Sequence, residues 1–416
     1  MAVSATLAVN EAVERARRAG RAVLPLGFGE AGLPVHAALR ERLAGAAGAN
    51  SYGPVAGLPE LRAAAAGYWQ RRSLPTSAEQ VVAGPGSKPL LYGLLAALEG
   101  DVALPRPSWV SYAAQATMLH HQARFVDTTP GQGGVPDPFA LAALADQARA
   151  AGRPLRSVVL TLPDNPTGTL AGRDRVAGVC AVAREHDLVI ISDEIYRDLV
   201  HDPATPYVSP AELAPERTVI TTGLSKNLAL GGWRLGVTRL PDSELGEQLG
   251  QHLLDIASEI WSSPPHPVQS VAAWAFTEPE VLRDHLAASR QLHGTVARAV
   301  AEVFAGVGAE VAAPAGGFYL YPDLEAHRER LARRWGITDG AGLARVLLEE
   351  LDVATLPGSA FGDHAGALRL RVATSLLYGP DDLRRQTALM DDDPLGLPWV
   401  RDGLGQLRGA LERLLD

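Results

Sequence analysis

Cysteine is nearly absent from this sequence of 416 residues: Cys180 stands alone. That excludes an internal disulfide and any multi-cysteine metal site, and fits a reducing compartment such as the cytoplasm. Long apolar runs are missing as well. No stretch approaches the roughly 18 apolar residues of a membrane span. Residues 1–20 scatter Glu11, Glu14, Arg15, Arg17 and Arg18 through an alanine-rich helical pattern, unlike a secretion signal. Basic charge is in deficit too. A net charge of −9 with 20% charged residues leaves no basic domain of the kind nucleic-acid binding needs, while a local basic pocket for small anions stays open. Metal-ligand spacing is not convincing anywhere: His120-His121 and Glu185-His-Asp187 read as helix-surface groups, and Asp391-Asp-Asp393 as a solvated turn. There is no internal repeat.

What is present points to a globular α/β protein. A hydrophobic content of 47% supports a sizeable core, and the length favours two domains. Short β-rich runs at 80–83, 101–104, 123–127, 156–162, 188–193, 217–222 and 235–240 alternate with helical stretches. Runs such as Val158-Val-Leu-Thr-Leu162 and Leu188-Val-Ile-Ile191 are apolar without alternating, as expected of strands covered on both faces. The expectation is a mostly parallel, seven-stranded sheet in a large domain spanning 46–280. Residues 1–45 and 281–416 lack that rhythm and are expected to form a smaller α+β domain.

Polar residues at the ends of these runs fall on the carboxyl edge of the sheet, where open α/β folds bind ligands. Lys226 lies in Gly223-Leu-Ser-Lys-Asn-Leu-Ala-Leu-Gly-Gly-Trp-Arg-Leu-Gly236, between a β-type run and an Arg-bearing glycine turn. Lysine is scarce here, and apolar neighbours argue against a surface role. A lysine can hold an aldehyde as an imine and, once freed, shuttle a proton at a substrate α-carbon. Asn165 in Asp-Asn-Pro-Thr-Gly, and Asp193 with Tyr196 in Ser-Asp-Glu-Ile-Tyr, supply the polar groups for a pyridine ring bearing a phenolic oxygen and an aldehyde. The cofactor implied is pyridoxal 5'-phosphate. Asp193 is the candidate carboxylate for the ring nitrogen: opposite charges about 4 Å apart at an effective dielectric of 20 interact by about 4 kcal/mol, roughly three pKa units. Gly84-Pro-Gly-Ser-Lys88 ends a strand and opens a helix, so N–H groups near Gly86, Ser87 and Lys88 suit a phosphate, with Arg234 as a charged fork. Trp109 follows a strand and suits stacking on the ring. Arg369 and Arg371 share one parity near the C-terminus, and by spacing either suits a substrate carboxylate. Gly27-Phe-Gly-Glu-Ala-Gly32 fits a dinucleotide fingerprint in letters only. Pro34 interrupts the helix start, and no strand ending in an acid follows.

These residues resemble the class I/II aminotransferases, the fold-type I enzymes that use pyridoxal phosphate, over about 26–377. The resemblance implies that Lys226 carries the cofactor, that Arg234 and Ser225 join Gly86, Ser87 and Lys88 at the phosphate, and that Asn165, Asp193 and Tyr196 hold the ring under Trp109. It further implies a backbone contact from Gly29 to the substrate, Arg369 rather than Arg371 at the α-carboxylate, and Tyr52 reaching the phosphate across a dimer interface. The expected activity is amino transfer between an amino acid and a 2-oxo acid by a cytoplasmic homodimer with shared sites, using no metal, nucleic acid or membrane. A lyase, oxidase or cyclase of specialised amino-acid metabolism is the alternative from the same apparatus. Two departures stand out: Gly223 replaces a usual phosphate-binding serine, and Arg371 stands where a small residue is common.

Overall fold

The computed structural model describes residues 5–416. Twelve strands form three sheets among these residues: β1 (Leu24–Pro25), β2 (Val81–Gly84), β3 (Asp101–Arg106), β4 (Ala123–Asp127), β5 (Leu155–Thr161), β6 (Val189–Asp193), β7 (Thr218–Gly223), β8 (Gly236–Arg239), β9 (Tyr319–Leu320), β10 (Val353–Ala354), β11 (Leu356–Pro357) and β12 (Leu370–Ala373). The main sheet has seven strands in the order β2-β8-β7-β6-β5-β3-β4. It is the mostly parallel sheet expected from the sequence. β8 alone runs antiparallel to its neighbours β2 and β7.

Burial on two faces explains why the central strands are apolar without alternation. Val158, Leu160 and Ile190 pack beneath the helix Arg173–Glu185, whose Val176, Val179, Cys180 and Ala183 recur at helical spacing. Val159, Ile191 and Val219 point the other way, against Leu90, Leu91 and Leu94 of the helix Ser87–Leu98. Each such side chain contributes about 1.5–3 kcal/mol by leaving water. Cys180 is buried within the first of these layers.

Parallel register brings the functional ends together. Thr161 at the end of β5 lies beside Asp193 at the end of β6, which in turn lies beside Thr221 of β7. Opposite this edge, β11-β12-β9 form a small antiparallel sheet and β1 pairs in parallel with β10. A separate apolar core joins Leu24, Leu26 and Leu33 to side chains running from Leu292 to Leu415. The Ala373 N–H donates to the Leu26 carbonyl at 2.7 Å, seating the segment around Gly27–Gly29 between the small sheet and the main sheet's carboxyl edge. Among the described residues, no helix is long and apolar enough to cross a membrane.

Candidate active site

A cavity of about 320 Å³ opens at that edge, and Lys226, Asp193, Tyr196, Asn165, Trp109, Ser87, Lys88, Ser225, Arg234 and Gly29 all line it. Residues more than 190 positions apart in sequence meet here: the Lys226 ammonium donates to the Gly29 carbonyl at 2.7 Å. Lys226 follows β7 in a turn pinned from behind. Its neighbour Asn227 donates to the buried Asp198 carboxylate at 3.0 Å, which also receives Tyr68 at 3.1 Å and Arg72 at 2.8 Å. Burial, then the charges of Arg371 and Arg234, pull the Lys226 pKa down from 10.5 to about 8, against opposing pulls from Glu30 and Asp193. A lysine so placed is part-deprotonated near neutral pH.

Asp193 shows the opposite perturbation. Burial pushes its carboxyl up to about 6, although Tyr112 and the Ile195 N–H donate to it at 2.7 and 3.3 Å and favour the anion. Tyr112 stands one helical turn after Trp109 and meets that indole edge-on, centroids 5.2 Å apart. It also shares a 3.0 Å hydrogen bond with Thr161. A bracket of Trp109, Tyr112 and Thr161 therefore fixes both a flat wall and the carboxylate. On the far side, the Tyr196 and Tyr319 hydroxyls lie 2.9 Å apart, and Asn165 donates to Tyr196 at 3.5 Å. Burial raises both phenols' pKa values, so they stay protonated.

Glycines shape the turn that opens the helix Ser87–Leu98. Gly86 has φ +96° and lies against the Arg234 guanidinium, so a side chain there would meet strain and collision together. Gly223 faces Gly236 across β7 and β8. A Cβ on Gly223 would come 2.6 Å from the Leu235 carbonyl oxygen, and one on Gly236 would come 2.5 Å from the Ser87 nitrogen. The serine expected at 223 has no room unless β8 shifts.

Two sequence expectations land outside the cavity. Tyr52 is 93% exposed. Arg369, expected at the substrate carboxylate, instead donates to Asp323 at 2.8 Å and to both Asp363 oxygens at 3.2 Å, on the wall of a different cavity of about 470 Å³. Arg371 lines the Lys226 cavity in its place, 1% exposed. The cause is reach: β12 approaches Gly27–Gly29 at its Ala373 end, and Arg369 is two residues, about 7 Å, farther back. Position relative to the motifs marked Tyr319 as a candidate pocket wall, and it lines this cavity; sequence reasoning passed over Tyr112 and Thr161. The first was detectable as the residue three after Trp109 on one helix face; the second needed the strand register.

A family profile described as aminotransferase class I and II matches residues 23–376. The chain belongs to the aminotransferase class I and II family. It is 30% identical to the probable aspartate/prephenate aminotransferase of Thermus aquaticus, over 92% of this chain and 95% of that one. It is 31% identical to the aspartate/prephenate aminotransferase of Thermus thermophilus, over 90% and 93%. The asparagine--oxo-acid transaminase of Streptococcus mutans is 29% identical over 94% and 97%. Among solved structures, the aspartate aminotransferase of Thermus thermophilus with maleate superposes with a TM-score of 0.82 at 27% identity, covering 99% of this chain and 97% of that chain. Like the rest of this aminotransferase family, the protein is a pyridoxal-phosphate-dependent enzyme that transfers amino groups.

Proposed function

We propose that this aminotransferase holds pyridoxal 5'-phosphate in the Lys226 cavity and moves the amino group of an acidic amino acid to a 2-oxo acid. The observation that carries the reading is the pair Lys226 and Asp193. They line one cavity with pKa values displaced toward each other, to about 8 and about 6, as a proton-transfer site at neutral pH requires. The donor set fits the cofactor. A buried carboxylate, a reactive lysine, an indole wall and a glycine turn at a helix N-terminus match its ring nitrogen, aldehyde, ring face and phosphate. When bound, the cofactor supplies an electron sink for negative charge at the substrate α-carbon.

Each residue then has a defined task. Lys226 would carry the proton removed from the substrate α-carbon. Asp193, oriented by Tyr112, keeps the ring nitrogen protonated. Tyr196 and Asn165 face the phenolic oxygen. Gly86, Ser87, Lys88, Ser225 and Arg234 hold the phosphate, and the Gly29 carbonyl faces the substrate beside the lysine. Tyr52, an aromatic ring left in water, supports a homodimer in which each subunit's tyrosine completes its partner's phosphate site. An acidic donor is supported by the relatives named for aspartate. A cytoplasmic setting accords with the single cysteine.

The test is a panel of amino donors with 2-oxoglutarate as acceptor, measuring oxo acid and new amino acid together. Aspartate or glutamate should give the two products in equal amounts without oxygen uptake. A Lys226→Ala protein that keeps full turnover would refute the assignment.

A further inference from the structure

We infer that Tyr319 is a positioning residue for the reaction: its hydroxyl donates to Tyr196 and so turns the Tyr196 proton toward the phenolic oxygen of the cofactor. This rests on the functional reading above and gives a task to a residue which that reading leaves without one.

Counting donors and acceptors fixes the direction. The two hydroxyls lie 2.9 Å apart, and each carries a single proton. The other acceptor near Tyr319 is the Gly29 carbonyl at 3.4 Å, beyond the ordinary O–H···O range. Were Tyr196 the donor of the pair, the Tyr319 proton would have only that distant carbonyl. Asn165 reaches the Tyr196 oxygen at 3.5 Å, and its other partner settles which way its amide faces. Arg371 can only donate, so the Asn165 oxygen faces Arg371 and its nitrogen faces Tyr196. With two donors aimed at its oxygen, Tyr196 has no acceptor among the described residues for its own proton. That proton points into the cavity both tyrosines line. Tyr196 is 3% and Tyr319 1% exposed, so a proton left unpaired there carries a cost that a bound oxygen removes.

Acidity and packing agree with this direction. Burial raises the pKa of both phenols, Tyr196 the more, and the chief opposing influence on Tyr319 is the Arg371 guanidinium, 5.0 Å from its ring centroid. The more acidic hydroxyl is the better donor to the less acidic one. Tyr319 pairs with Ala373 across β9 and β12. Its ring meets that of Phe318 with centroids 4.7 Å apart and meets Tyr196 edge-on at 5.6 Å. Gly29 makes room for the hydroxyl, because a Cβ there would collide with it. A donor fixed in this way strengthens the next hydrogen bond in line by about 10–30%.

The experiment titrates the visible absorbance of the lysine-bound cofactor against pH in wild type, Tyr319→Phe, Tyr196→Phe and the double variant. A hydroxyl donating to the phenolic oxygen favours its anionic form, so each lost donor moves the midpoint up. Tyr196→Phe should raise it by about one to two units, the worth of a hydrogen bond to a charged group. Tyr319→Phe should raise it by about 0.3–1 unit, the cooperative share together with the freedom Tyr196 gains to turn away. The double variant should match Tyr196→Phe alone. Cofactor-free Tyr319→Phe should melt within about 3 °C of wild type, since one hydrogen bond is lost. A Tyr319→Phe midpoint that does not move overturns the inference. So does one that moves equally with and without the Tyr196 hydroxyl, because Tyr319 would then act on the cofactor by another route. The Lys226→Ala protein, which should lack the absorbance altogether, tests the functional reading separately.

Discussion

The amine of Lys226 in cofactor-free enzyme should titrate near pH 8 rather than above 10. Burial is the largest cause, followed by the charges of Arg371 and Arg234. At pH 7.5 an ordinary lysine is about 0.1% unprotonated, whereas one with this pKa is about 25% unprotonated, a gain of roughly 200-fold in the nucleophilic form. Brief trace acetylation over a pH series, quenched and read by peptide mass spectrometry, measures this directly. The readout is unusually clean because Lys88 and Lys226 are the chain's two lysines. Labelling at 226 should reach half its limiting rate near pH 8, and Arg371→Leu should move that midpoint upward while leaving it below 10.5. A midpoint at 10 or above in the wild type, or one that falls in Arg371→Leu, refutes the electrostatic account.

The same shift fixes a stability trend. Between pH 8 and 10.5 the unfolded chain carries a proton at this lysine that the folded chain has lost, so stability of the cofactor-free protein rises with pH across that window. The full span corresponds to about 3 kcal/mol. Urea midpoints at pH 8 and 10, compared between wild type and Lys226→Met, isolate the contribution, which should vanish in the variant.

Asp193→Asn should lose turnover by about 10³-fold, yet its cofactor-free form should be more stable at pH 7 by up to about 3 kcal/mol. The folded carboxyl at about 6 binds protons more tightly than the unfolded one, so its penalty grows as pH rises through 4 to 6; melting at pH 4 and 7 checks this. Gly223→Ser, which restores the hydroxyl usual in the family, should destabilise by about 1–3 kcal/mol and weaken cofactor retention, because the added Cβ meets the Leu235 carbonyl; denaturant midpoints and absorbance after dialysis test both. Asp198→Ala should cost about 3–5 kcal/mol, since Arg72, Tyr68 and Asn227 lose a shared buried acceptor, and unequal urea midpoints would register it.

Six of the seven strands were legible because they are buried almost throughout, so hydrophobicity marked each run to within a residue or two; β4, at the sheet's edge, is only partly buried and was marked by its place in the strand–helix alternation. Motif residues next to those runs, Lys226, Asp193 and Asn165, were legible for a related reason: the end of a parallel strand is where a polar side chain reaches the carboxyl edge. Arg369 and Arg371 were not separable, because equal parity assigns them one face and only the distance from β12's end to Gly27 decides between them. Gly223 looked like a missing donor and is instead a contact, visible only once β8 lies against it. Tyr112 escaped notice, and Tyr319 could be placed only as a pocket wall or a packing residue, because aromatic residues within apolar runs resemble core and their hydroxyl partners come from distant segments.

These findings share one electrostatic logic. Lys226, Asp193 and Arg371 are each shifted toward neutrality chiefly by burial, and among the described residues none has the close ion pair that holds Arg369 or Arg72. Ion pairing among them would stabilise the empty protein, but it would also leave no charge free for a ligand. On the proposed function, a cationic ring nitrogen beside Asp193 and a phosphate against Arg234 would neutralise the cavity from within. Binding energy is thereby concentrated on groups that also direct the reaction. It follows that the substitutions most damaging to turnover in this cavity should be among the least damaging to the stability of the empty protein, the reverse of what core positions such as Asp198 should show.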